Sequence, residues 1–299
     1  MTIRRSVVVA QGKGGVGKTS LSSNVAGLAA AGGLRTLVVD LDPQGNVARD
    51  FGLEPDDGRD LLTALVTSGP LPVRPGVRDG LDVVLSGQEV ADVSLLAQSR
   101  QARGGVRLAE TLHSALAAIE DDYDLIVIDS PPGERVLVEA ALGVAQAVVV
   151  PTRADAGSLD GLEVVAKRLA AAWEHNPDVR LAGVVLFGIG ARTGAVEAEV
   201  RATIRSILGE SAPIFDARIR HAEVAAYDAR NAGLLVHELE GAAAEGRRAR
   251  LAALRTGDAV HSNVRVRNAS GLADDYEALT REILTRLAAI EQEVSADAR

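Results

Sequence analysis

The 299-residue chain has no cysteine, one methionine and one tryptophan, and only 2 % of its residues are aromatic. The missing cysteine excludes disulfides, thiolate metal ligands and a cysteine nucleophile. With so few rings, Ala, Val, Leu and Ile must fill the core, which suits parallel strands covered by helices on both faces. Long apolar runs are also lacking. No segment approaches the length needed to span a bilayer, and the start "MTIRRSVVVA" carries too few apolar residues for a signal peptide. A cytoplasmic protein is therefore expected. The histidines (His113, His175, His221, His237 and His261) are scattered without metal-ligand spacing, and no G-x-S-x-G elbow occurs. Zinc hydrolysis and serine-hydrolase chemistry are thereby disfavoured. Positive charge is in deficit, with a net charge of −9, which argues against a nucleic-acid partner unless the cations are bunched.

Apolar β-branched runs alternate with Ala/Leu-rich helical stretches. The expected strands are 5–10, 35–40, 81–86, 124–130, 145–152 and 181–188, and the expected helices lie near 19–31, 89–100, 105–120, 135–143, 158–174 and 194–208. This alternation predicts one doubly wound, mostly parallel α/β sheet with helices on both faces. Segment 51–80, rich in glycine and proline, is expected to form loops and one short helix. Beyond it, residues 1–299 read as a single domain with a C-terminal helical extension at about 239–294. There a helix at 239–256, a polar stretch at 257–270 and a helix at 272–294 are expected, the last with Leu279, Ile283, Leu284, Leu287 and Ile290 on one stripe.

"QGKGGVGKTS" (11–20) stands between the first strand and the first helix and fits G-x-x-x-x-G-K-[ST] at Gly12, Gly17, Lys18 and Thr19. In such a loop, Gly12, Lys13, Gly14, Gly15, Val16, Gly17, Lys18, Thr19 and Ser20 would surround the phosphates of a nucleotide, with backbone N–H groups and a helix N-terminus turned toward the charge. Lys18 would meet the β- and γ-phosphates, and the Thr19 hydroxyl would ligate Mg²⁺. Asp129 closes the apolar run "LIVID" at a strand's carboxyl end, where open α/β sheets bind ligands, and so is expected at the metal, reached through water. Asp40 and Asp42, two apart at the end of "VVDLD", would share a face. A second lysine, Lys13, is either a solvated loop charge or a charge supplied in trans to the nucleotide of a second copy.

"KGGVGKTS", "VVDLDPQGN" and "DLIVIDSPPG", in that order, resemble the deviant Walker A ATPases of the ParA/MinD group, and most of all a short ParA-type partition ATPase. The resemblance runs from the first strand to about residue 238 and returns weakly at 271–284; "VPTRADAGSLDGL" (150–162) is similar to the family's switch segment and "RIRHAEVAAYD" (218–228) to the stretch before its late helix. It implies a catalytic set of Lys13, Lys18 and Asp42: Lys13 as the signature lysine that crosses an ATP sandwich homodimer, and Asp42 orienting the attacking water. Asp40 would support the Mg²⁺ shell with Thr19 and Asp129. Where the family usually has Thr-Met after the strand near 186, this chain has Phe187-Gly188.

The resemblance further implies ATP-driven dimerisation, nonspecific double-stranded DNA binding on the nucleoid, and hydrolysis stimulated by a ParB-like centromere-binding partner. The arginines are bunched late, at Arg192, Arg201, Arg205, Arg218, Arg220 and Arg230, and again at Arg247, Arg248, Arg250, Arg255, Arg265 and Arg267. Of these, Arg218, Arg220, Arg247, Arg248 and Arg250 are the expected DNA contacts. The first strand starts within a few residues of Met1, so no preceding helix-turn-helix domain is expected. Two other readings stand beside this one. A MinD-like positioning ATPase would work on a different cargo or at a membrane, which the acidic final helix disfavours. A P-loop metabolic synthetase would need a substrate pocket for which no motif is seen.

Overall fold

The structure, a computed structural model, describes residues 2–190, 194–256 and 269–297, and within α10 and at the end of α11 the side chains at 246–247, 249–256 and 297 fall outside the description. In chain order the elements are β1 (Ser6–Val9), α1 (Lys18–Ala31), β2 (Thr36–Asp40), α2 (Asn46–Asp50), α3 (Arg59–Thr67), β3 (Val73–Arg78), β4 (Leu81–Val84), α4 (Val93–Ala102), α5 (Leu108–Ala117), β5 (Leu125–Asp129) and α6 (Arg135–Val144). There follow β6 (Ala147–Thr152), α7 (Ala156–Ala172), β7 (Arg180–Ile189), α8 (Gly194–Leu208), β8 (Ile214–Arg220), α9 (Glu223–Ala232), α10 (Val236–Thr256) and α11 (Ser270–Asp297).

The eight strands form one sheet in the order β3-β4-β2-β5-β1-β6-β7-β8. All neighbours are parallel except β3 and β4. After β1 the chain builds outward on the β5 side, then crosses to β6 on the other side, so the loop leaving β1 sits where the winding direction reverses. An open sheet of this kind leaves a crevice there, at the carboxyl ends of its strands.

Strand alternation divides the apolar side chains into two layers. Val8, Leu37, Val39, Ile126, Ile128 and Val148 point into a cluster with residues of α3 to α8. Val7, Val9, Val38, Val127, Val149 and Val185 point the other way, against α1, α2 and α9 to α11. Because both faces are covered, the central strands are buried along their whole length, which explains their unbroken β-branched composition.

Two strands lie outside the expectation. β3 falls in 51–80, where loops and one helix were expected. It is a half-exposed edge strand with Pro75 and Gly76 in its middle, and its pairing with β4 is irregular between Arg74 and Arg78. β8 alternates buried Phe215 and Ile219 with exposed Asp216, Arg218 and Arg220, a period of two that its arginines obscured. α10 starts at Val236 and α11 spans Ser270–Asp297, slightly longer than the stretches expected at 239–256 and 272–294. α11 packs on β8 and α1 through Leu279, Ile283, Leu287 and Ile290, all buried. Glu282 of α11 accepts the backbone N–H of Asp216 at 2.9 Å and of Ala217 at 2.8 Å, which caps the open edge of the sheet.

Candidate functional site

The loop Gln11–Gly17 joins the end of β1 to α1. Its conformation depends on glycine at two points. Gly15 has φ +74° and Gly17 φ +100°, in the left-handed region. A Cβ at Gly17 would also stand 2.5 Å from the Phe187 ring. The loop is pinned by Gln11, a buried amide whose Nε2 donates to the carbonyls of Pro151 (3.0 Å) and Ser158 (3.2 Å) while its Oε1 accepts the Gly12 N–H at 2.7 Å. Val16 is buried and anchors the loop's middle.

A cleft of about 540 Å³ opens beside this loop, and Gly15, Gly17, Lys18, Thr19, Ser20 and Asp42 line it. The other expected loop residues, Gly12, Lys13, Gly14 and Val16, shape the loop from outside the cleft wall. Lys18 Nζ donates to the Lys13 carbonyl at 3.3 Å. Burial pushes the Lys18 ammonium below its ordinary pKa, and the nearby carboxylates of Asp129 and Asp42 oppose that shift. With a single neutral carbonyl as its hydrogen-bond partner, the ammonium keeps donors that an anion in the cleft could use.

The three carboxylates expected at the metal and the water are differently placed. β2 and β5 run in register, so Asp40 lies beside Asp129. Asp129 is fully buried and accepts hydrogen bonds from Thr19 Oγ1 (2.8 Å) and Ser22 Oγ (2.9 Å). Burial raises its pKa to about 7, against those bonds and the Lys18 charge. Asp40 is also fully buried, and its oxygens accept the N–H of Asp42 (2.9 Å) and of Val47 (3.3 Å). Burial first, then the charge of Asp129, holds Asp40 well above the usual carboxylate range. Asp40 thus clamps the loop between β2 and α2, which presents Asp42 and Gln44 to the cleft, the Asp42 Oδ1 accepting the Gln44 N–H at 3.0 Å.

These donors suit magnesium. Thr19 gives its proton to Asp129, so its oxygen lone pairs face the cleft. Among the described residues no group of three or more His, Cys, Asp or Glu could cage a metal. A hydroxyl backed by a carboxylate, with water and phosphate completing the shell, is how Mg²⁺ is commonly held.

Lys13 lies at the front of the loop and pairs with Asp155. The far wall of the cleft includes Phe187, Gly188, Arg153, Arg220 and Tyr276. Phe187 meets the Tyr276 ring edge-on at 6.3 Å, and the Tyr276 hydroxyl shares a 2.8 Å hydrogen bond with Ser20 Oγ. Residues to which sequence reasoning gave no role therefore hold the site together, namely Gln11, Ser22, Asp155 and Tyr276, together with Phe187, which it noted only as a departure from the family's pattern. Gln11 and Asp155 stand inside stretches already singled out, but only the fold brings them to the phosphate loop.

The expected DNA contacts fall into two groups. Arg218 and Arg220 lie two apart on edge strand β8, paired with Glu197 of α8 and Asp275 of α11 respectively. Arg248 is exposed on α10. The side chains of Arg247, Arg250 and Arg255 lie outside the described residues, as do Arg192, Arg265 and Arg267 altogether.

Residues 4–181 match the AAA domain family AAA_31. The chain is 33 % identical to the chromosome-partitioning ATPase Soj of Thermus thermophilus over 211 residues, which cover 69 % of this chain and 78 % of that protein. In fold it is similar to an ATP complex of a McdA variant from Cyanothece, with TM-score 0.72 and 20 % identity over 95 % of this chain and 98 % of that one. It is likewise similar to the cobyrinic acid a,c-diamide synthase of Mycobacterium smegmatis with bound ADP and magnesium, with TM-score 0.64 and 24 % identity over 75 % of this chain and 88 % of that one.

Proposed function

Since the chain belongs to the ParA/MinD-type ATPase family, we propose that it is a positioning ATPase of the DNA-partition kind, hydrolysing ATP to ADP and phosphate. The observation that carries this is the convergence of Lys18, Thr19 and Asp42 on one cleft at the reversal point of the sheet. Lys18 and the backbone N–H groups of residues 12–20 bind the phosphates. Thr19 holds Mg²⁺, with Asp129 reaching it through water and Asp40 supporting that shell by fixing the Asp42 loop. Held there, Mg²⁺ would supply positive charge against that developing on the phosphate oxygens. Asp42 orients the water that attacks the terminal phosphate, and phosphoryl transfer asks for little beyond positioning and charge.

Lys13 acts on the nucleotide of a second copy, so that ATP favours the homodimer over the monomer. The dimer binds double-stranded DNA without sequence preference through Arg218, Arg220, Arg247, Arg248 and Arg250, and a ParB-like partner stimulates hydrolysis and release. Residues 1–299 work as one ATPase domain whose C-terminal helices extend its α1 face. The cytoplasm, on the nucleoid, is its place of work. No helix among the described residues is long and apolar enough to cross a membrane.

Steady-state ATP turnover tests this reading. Slow turnover that duplex DNA plus a centromere-binding partner accelerates supports it. Fast turnover that depends on a small organic acid and ignores DNA would assign the chain to P-loop synthetases instead.

A further inference from the structure

α2, which follows the Asp42 loop, is a helix of only five residues with no side-chain cap at its start. A helix so short has little stability of its own. Val47, Ala48 and Phe51 are buried and seat it on the sheet, but apolar contact is non-directional, so polar ties at its two ends fix how it lies. At the start the tie is Asp40, which accepts the N–H of Val47 and of Asp42. At the end it is Asp50, whose Oδ1 accepts the Nε–H of Arg230, in the last turn of α9, at 2.9 Å. Both residues line the cleft. The Asp50 side chain is 9 % exposed, and burial raises its pKa while the Arg230 guanidinium opposes the shift. Just beyond the pair the two chains touch backbone to backbone: a Cβ on Gly52 would stand 3.1 Å from the Gly233 Cα, and one on Gly233 2.3 Å from the Gly52 Cα. Arg78 of β3 closes this joint. It donates to the Phe51 carbonyl at 3.4 Å and to the Gly233 carbonyl at 2.9 Å, while its Nε meets Glu238 of α10 at 2.5 Å.

Resting on the reading that Asp42 orients the attacking water, we infer that Asp50 and Arg230 are positioning residues for hydrolysis: their bond ties α9 to the end of α2 and thereby fixes the loop that carries Asp42. The phosphates are bound from elsewhere, by the loop Gln11–Gly17 with Lys18 and Thr19, so nucleotide binding does not depend on the tie. Its loss should appear in the rate alone. Displacing an orienting group by about 1 Å costs up to about a hundredfold. The joint keeps Arg78 when the pair is lost, so the loop shifts by less, and about a tenfold loss of rate is expected.

The test is single-turnover hydrolysis by the full chain with Mg²⁺ across an ATP concentration series, with binding of a non-hydrolysable analogue measured in parallel. It compares the parent with Arg230→Gln, Arg230→Lys, Asp50→Asn, Asp42→Ala and the double variant Asp42→Ala/Arg230→Gln. Arg230→Gln and Asp50→Asn should each lower the saturating rate about tenfold and leave the half-saturating ATP concentration and analogue binding unchanged. Arg230→Lys, which keeps the charge, should recover most of the rate. The double variant should be no slower than Asp42→Ala, because the pair acts through Asp42. Parent-like rates in Arg230→Gln and Asp50→Asn, with Asp42→Ala impaired, overturn the positioning role and leave the Asp42 reading standing. A further fall in the double variant, an Arg230→Lys rate as low as that of Arg230→Gln, or loss of analogue binding in the single variants of the pair overturns it too, since the two residues would then hold the fold and not the water. Asp42→Ala that turns over like the parent overturns the Asp42 reading, and the positioning role with it.

Discussion

Asp42 shows how the site divides its carboxylates. Burial and the charges of Asp129 and Asp42 raise Asp40, and burial with a smaller part from Asp42 raises Asp129, yet among the three only Asp42 lines the cleft, while the other two are fully buried. Asp42→Ala is expected to bind ATP and pair normally but to hydrolyse it about a hundredfold more slowly, because only the orientation of water is lost. Single-turnover hydrolysis alongside analogue binding checks this, and turnover at the parent rate would remove Asp42 from the mechanism. The phosphate loop was legible in the sequence because its requirements are local: small residues, a lysine and a hydroxyl between a strand and a helix. Asp42 and Lys13 were placed by resemblance. The partners that hold them were not visible, because Asp155 reaches Lys13 across 142 positions and Ser22 reaches Asp129 across 107.

The C-terminal helix α11 is the element that most exceeds its reading from sequence. Its apolar stripe correctly indicated docking, but not where. Tyr276 at its start touches Phe187 and bonds Ser20 in the first turn of α1, so this helix abuts the phosphate loop as well as the edge of the sheet. Leu279, fully buried on the stripe, should cost about 2–5 kcal/mol when cut to alanine, through lost transfer energy and a residual cavity. Urea denaturation monitored by circular dichroism would measure it, and a loss within experimental error would mean that α11 contributes little to the fold. The central strands were legible from continuous β-branched runs. β8 was passed over because the alternating pattern of "IFDARIR" was read only for its charge, and β3 because Pro and Gly interrupt an edge strand that does not need full pairing.

On the scale of the whole molecule, an acidic chain must concentrate its cations to meet DNA, and on β8 it offsets them: Arg218 and Arg220 both face acids. DNA phosphates would have to displace Glu197 and Asp275 there, and sequence alone could not anticipate those pairings, since the acids come from α8 and α11. Stability should depend on mildly acidic pH through His237. Burial lowers its pKa from 6.5, Arg78 adds to the shift and Glu238 opposes it, and its Nδ1 is buried without a hydrogen-bond partner. The unfolded chain therefore takes the proton first. Stability is full above 6.5 and falls as pH drops below it toward the lower folded pKa. His113, lowered by burial in the same way, adds to the slope. Asp129 and Asp40, raised by burial, act with the opposite sign over the same range, so thermal melts between pH 7.5 and 5.5 read the His237 part as the difference in slope between the parent and His237→Gln; an equal slope in the two would locate the dependence elsewhere. The central claim is that ATP joins two copies through a lysine which is not needed to hold ATP within one. Its most direct test is sedimentation of the parent and Lys13→Ala, each with saturating ATP and Mg²⁺ and with analogue binding measured in parallel. Binding by both proteins with dimers only in the parent is the predicted result, and a Lys13→Ala protein that binds ATP and dimerises like the parent would contradict it.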